Sequence, residues 1–118
     1  MSLVVRAFPV LPGKKDRVLE FGQELMRRRS DTDGFYRSYG VQRETWHLQD
    51  TAAGPLLIVT SEVSDPSAAG ASYAAAREEF HAWFKSRVLE LSGVDPDRTP
   101  LGPPCECVFD WKDQGARP

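Results

Sequence analysis

Leu56-Leu57-Ile58-Val59-Thr60 is a run of five apolar or β-branched residues, set between the turn signals of Asp50 to Pro55 and the helix-start signal Ser64-Asp65-Pro66. A strand that is apolar at every position, rather than at alternate ones, is buried on both faces. The sheet that contains it needs a cover on each side. That requirement limits the architectures open to a chain of 118 residues, which is the length of one ordinary domain. We read residues 1–118 as a single domain with an ordered core from about residue 3 to residue 111.

The flanking segments supply the remaining elements. Leu3 to Val10 is rich in β-formers and stops at Leu11-Pro12-Gly13, a turn signal followed by charged helix formers. Val18, Phe21, Leu25 and Arg29 then recur at helical spacing, and Gly22 on the same side would let the helix approach a sheet closely. This helix ends between Arg29 and Tyr39. Gly40 breaks the pattern, and Val41 to Gln49, with Val41, Trp46 and Leu48, reads as a second strand. The third is Leu56 to about Val63.

Asp65 is a candidate N-cap and Pro66 a first helical residue. The helix they open is a candidate for interruption at Gly70. Tyr73, Ala76, Phe80, Phe84, Val88 and Leu91 then lie along one stripe, with Trp83 and His81 at its edges and Gly93 as the terminal cap. Val94 to Pro104 is loop. Cys105, Cys107, Phe109 and Trp111 alternate with Glu106 and Asp110, the pattern of a fourth strand.

The order β-α-β-β-α-β defines the expected class: α+β, ferredoxin-like, with two helices on one face of a four-stranded antiparallel sheet. The face away from the helices then carries much apolar surface, since the third strand is apolar on both sides and Phe8 and Val10 share a side of the first strand with Arg6. A second copy of the same sheet would cover it, so a homodimer paired through the sheet face is expected.

Composition closes several other routes. A net charge of -2 provides no field for nucleic acid, and the dense basic run Arg27-Arg28-Arg29 falls where cations favour the negative end of a helix dipole. No apolar stretch approaches the roughly 20 residues of a membrane span, and Arg6 interrupts the apolar segment a signal peptide would need, so a cytoplasmic location is expected. Cys105 and Cys107 are two apart on one strand face, where Cα atoms sit about 6.5–7 Å from each other, awkward for a disulfide. An excess of Arg over Lys and abundant Ala fit a high-GC bacterial genome.

Leu11-Pro12-Gly13-Lys14, Glu44-Thr45-Trp46-His47-Leu48-Gln49 and Phe80-His81-Ala82-Trp83-Phe84, taken with the element order, resemble the dimeric α+β barrel superfamily. There, two ferredoxin-like subunits face their sheets together to close a barrel. The resemblance spans nearly the whole chain, with uncharacterised members carrying the Trp-Phe pair as its nearest counterpart. It implies a range of activities that includes cofactor-independent monooxygenases acting on aromatic substrates, haem enzymes, small isomerases and dehalogenating enzymes. A shared fold leaves the choice among them open. Haem enzymes of the group depend on a suitably placed axial histidine, and neither His47 nor His81 matches that position, so no cofactor is expected.

The chemistry-bearing residues are few. His47, His81, Cys105 and Cys107 have no metal-ligand spacing, and no metal site is expected. Trp46 and His47 point to opposite faces of their strand, and Trp46 is the one assigned to the interior. If the acidic face of the fourth strand lined the barrel, Glu106 and Asp110 would join Arg6 and Glu62 in an apolar setting, where a carboxylate can serve as a general base. The candidate catalytic residues are thus His81, His47, Glu62 and Asp110. The candidate ligand-binding residues are Arg6, Trp46, Trp83 and Glu106. Each has a purely structural alternative: His81 bridging core and solvent, Trp83 as core, Arg6 paired with an acid.

Two functions are consistent with this pattern. One is a small-molecule-binding protein, an isomerase or cofactor-independent monooxygenase acting on a hydrophobic substrate. The other is a non-catalytic dimerisation or interaction module with a filled interior. Haem binding ranks third.

Overall fold

The computed structural model describes residues 2–75, 78–95, 104–113 and 115. Its elements are β1 (Ser2–Pro9), α1 (Lys15–Arg27), α2 (Arg29–Ser38), β2 (Val41–Thr51), β3 (Gly54–Val63), α3 (Pro66–Ala75) and α4 (Glu79–Ser92). The strands form an antiparallel sheet in the order β1-β3-β2. The doubly apolar strand is thus the central one, as its composition requires. No helix among the described residues is long and apolar enough to cross a membrane.

The helices pack on one face of the sheet. Val10, Val18, Phe21, Leu25, Phe35, Tyr39, Phe84 and Leu91 form the buried cluster between them. Gly13 and Gly93 both adopt φ 77°, a left-handed value that suits glycine, and stand where the sequence places a turn and a helix cap. The Gly93 N–H donates to the Leu89 carbonyl, closing α4. At the start of α3 the Ala68 N–H donates to Asp65 Oδ1 at 3.2 Å, the N-cap bond expected there.

Three expectations need correction. The first helix does not simply end: it breaks at Arg28 (φ -95°, ψ 48°) and restarts as α2. The Thr32 hydroxyl donates to the Leu25 carbonyl at 2.7 Å and so satisfies an acceptor that the break leaves open. Gly22 makes no close approach, since a Cβ there would meet nothing within 4 Å. Gly70 lies inside α3 and does not interrupt it.

The fourth strand is the largest departure. Residues 104–113 have no regular secondary structure, so the described sheet has three strands. Among the described residues a single backbone bond, Cys105 N–H to the Val5 carbonyl at 2.6 Å, ties this segment to the free edge of β1. Val108, Phe109 and Trp111 are 87%, 81% and 72% exposed. One bond and no buried face are not enough to hold a strand.

The sheet's open face also differs in composition from the expectation. Arg6, Phe8 and Val10 turn toward the helices, and Val10 is part of the core. Leu3, Val5 and Ala7, paired with Glu62, Thr60 and Ile58 of β3, point the other way. Leu3 is 65% exposed there.

Candidate functional site

Between the sheet and the helices lies a cavity of about 190 Å³. Its floor is one face of the sheet, fixed by register. Arg6 and Trp46 flank Val59 in one row, and Val4 and Glu44 flank Ser61 in the next. An irregularity between Val41 and Arg43 inserts Gln42 into β2. Without that extra residue, Val41 could not share a face with Glu44 and Trp46, because strand side chains alternate. The walls are aromatic. Phe21 packs against Trp46 and Phe84 with ring centroids 5.3 and 5.1 Å away, and Phe35 stacks on Phe84 at 4.4 Å.

Glu44 is the acid of this cavity. Its Oε2 accepts from the Tyr36 hydroxyl and from Trp46 Nε1 at 2.8 Å, and its Oε1 accepts from the Ser61 hydroxyl at 2.7 Å. Burial, together with the charge and hydrogen bond of Glu44, raises the Tyr36 phenol well above its ordinary value. The phenol therefore remains a protonated donor. Three donors fix the carboxylate's position and leave each oxygen already engaged.

Arg6 stands in contrast. It lines the same cavity from β1, its Nε is buried, and it forms no hydrogen bond or ion pair with another described residue. β3 separates it from Glu44, and two strand spacings are about 10 Å. The floor thus presents an engaged carboxylate on one side and an unengaged guanidinium on the other.

A second polar pair borders the cavity. Tyr39 lines it, and its hydroxyl shares a hydrogen bond with His81 Nδ1. Burial, and after it the charge of Glu78, pushes the Tyr39 phenol up to about 12. Glu78 Oε2 lies 3.9 Å from the same nitrogen.

The structure brings together only part of the set read from sequence. Arg6 and Trp46 line the cavity, and His81 reaches its edge through Tyr39. His47 and Glu62 occupy register positions opposite Ile58 and Leu3, on the other face of the sheet. Glu106 and Asp110 are exposed in the terminal segment. The grouping of Glu106 and Asp110 with Arg6 and Glu62 is conditional on a fourth strand lining the barrel; within one chain β1 and β3 pair in a register that sets Arg6 and Glu62 on opposite faces.

Trp83 lies outside the cavity, edge-on to Phe21 at 5.4 Å and beneath the Arg28 guanidinium at 4.7 Å. The groove beside it is lined by Arg17, Glu20, Glu24, Arg27, Arg87 and Glu90, whose charges pair with one another. Neither His47 nor His81 is among the residues that line the cavity. Among the described residues no group of three or more His, Cys, Asp or Glu could hold a metal ion.

Sequence reasoning missed Glu44 and Tyr36 as site residues. Glu44 carried a usable signal, since it lies two residues from Trp46 and so on the same strand face. Tyr36 carried none, because it reaches the site from α2, an element the sequence did not resolve.

Fold and cavity together define an α+β protein with a site between an antiparallel sheet and the helices on one of its faces. No protein-family model and no curated protein sequence matches the chain. Among solved structures it is similar to the L-rhamnose mutarotase FA22100 from Formosa agariphila, with a TM-score of 0.65 and 17% sequence identity. The alignment covers 95% of this chain and 100% of that one. At this identity the likeness is one of fold.

Proposed function

We propose that the chain is a homodimeric isomerase that binds a small, mainly apolar molecule in the cavity between sheet and helices. The observation that carries this reading is the unengaged Arg6 facing the fixed carboxylate of Glu44 across an aromatic-walled cavity. Concave, largely apolar sites with a few convergent polar groups are the usual form of a small-molecule site. Arg6 anchors an oxygen at one end of the ligand. Glu44 takes a proton from a carbon at the ligand's other end and returns it elsewhere, with Tyr36 and Ser61 as its hydrogen-bond donors.

Of the two enzyme classes compatible with the sequence, isomerisation is favoured because the structurally similar protein is a sugar mutarotase. The ligand class differs, however. A free sugar needs many polar partners, and this cavity offers chiefly Phe, Trp, Tyr and aliphatic side chains. A non-catalytic module would be favoured by a filled interior, which an open cavity of about 190 Å³ argues against. Pairing through the open sheet face is supported by Leu3 and by the exposed Val108, Phe109 and Trp111 of the terminal segment.

Native mass spectrometry of freshly purified protein is the direct test. A dimer retaining a small molecule is expected. Once that molecule is identified, incubation in D2O should introduce deuterium at an exchangeable carbon, visible by NMR, and Glu44→Gln should slow this by at least a hundredfold. Unchanged exchange in the Glu44 variant would remove the catalytic assignment. A monomer that raises its melting temperature with no small apolar molecule would remove the whole reading.

A further inference from the structure

We infer that the molecule taken by this cavity is a one-ring aromatic monocarboxylate, its carboxylate on Arg6 and its ring among Phe21, Phe35, Trp46 and Phe84. This rests on reading the cavity as a ligand site and specifies the class of ligand.

The first support is charge. A buried guanidinium donor without an acceptor is among the costlier features a fold can carry, and native proteins rarely keep one without a partner. Arg6 Nε is buried and unpartnered. The acid on the same sheet face, Glu44, is held away from it by three hydrogen bonds to Tyr36, Trp46 and Ser61. The partner of Arg6 therefore comes from outside the described chain. The planar fork of a guanidinium matches a carboxylate through two parallel N–H···O bonds.

The second support is size and shape. An apolar cavity of roughly 150 Å³ accommodates benzene. The cavity here, about 190 Å³, leaves room beyond one ring for a short polar substituent. Its walls are flat rings already set edge-on and stacked at 4.4 to 5.3 Å, spacings that a further ring can join. The third support is the fixed Glu44 carboxylate, which repels a second negative group at the opposite side of the floor. One ring with one carboxylate satisfies all three constraints.

Isothermal titration of the intact protein with phenylacetate and with its neutral isostere phenylacetamide tests the inference. Phenylacetate should bind at least tenfold more tightly, and Arg6→Met should abolish that preference while binding of phenylacetamide persists. Equal or weaker binding of phenylacetate would overturn the carboxylate assignment and leave the cavity reading standing. Binding of neither probe would overturn both. The comparison of the two probes on the wild-type protein decides the matter even if the Arg6 variant fails to fold.

Discussion

Glu44 shows how much of this fold's polar interior rests on single side chains. Hydrogen bonds to a charged acceptor contribute about 1.5–3 kcal/mol each, so Tyr36→Phe should lower stability by about 2 kcal/mol in urea unfolding. The same phenol gives an alkaline signature. In the unfolded chain it ionises near its ordinary value of 10.0, and in the folded chain only well above it, because burial and Glu44 oppose the phenolate. The folded state therefore holds more protons above pH 10, and its stability, complete below that pH, should decline as pH rises further. Tyr39, pushed up to about 12, adds to the decline between pH 10 and 12. Tyr36→Phe should flatten the slope, leaving the Tyr39 part. Identical slopes in variant and wild type would contradict the assignment. At this scale the sequence exposed Trp46 and His47 as occupants of opposite faces by simple alternation. It concealed the Glu44 cluster, because Tyr36 and Ser61 meet that carboxylate from different elements.

The elements themselves were legible where one local cause determined them. β3 announced itself by continuous apolarity, α3 by Asp65 and Pro66, and the end of α4 by Gly93. Gly93→Ala tests the last of these. The residue's φ of 77° is left-handed, and a Cβ would meet Leu11 only at 3.6 Å, an ordinary contact. The cost is then backbone strain alone, about 1–2 kcal/mol, measurable by thermal or urea unfolding. Where two causes competed, the sequence misled. The break between α1 and α2 depends on a hydroxyl, that of Thr32, reaching a carbonyl seven residues earlier. No periodicity encodes that bond. The terminal segment alternates as a strand should, yet a strand also needs neighbours, and among the described residues it finds a single bond at the β1 edge.

For the whole molecule, the main question is what covers the sheet's second face. The run from Leu56 to Thr60 demanded two covers, and the helices supply one. Under the proposed pairing a second copy supplies the other, with Ile58 near the middle of the contact. Ile58→Lys should then convert a dimer to a monomer in size-exclusion chromatography coupled to light scattering, since an unpaired buried ammonium in such a contact costs several kcal/mol. An unchanged dimer would place the contact elsewhere. The alternation of β1 carries a separate consequence for how such a chain can change over generations. Residues 4, 6 and 8 face the cavity, while 3, 5 and 7 face away from the helices. Substitutions at the first set alter what the site accepts without touching the outer face, and those at the second do the reverse. A one-residue insertion early in this strand would exchange the two sets, carrying Arg6 outward and Val5 inward. The lineage of such a chain should therefore tolerate length variation in β1 far less than replacement at single positions.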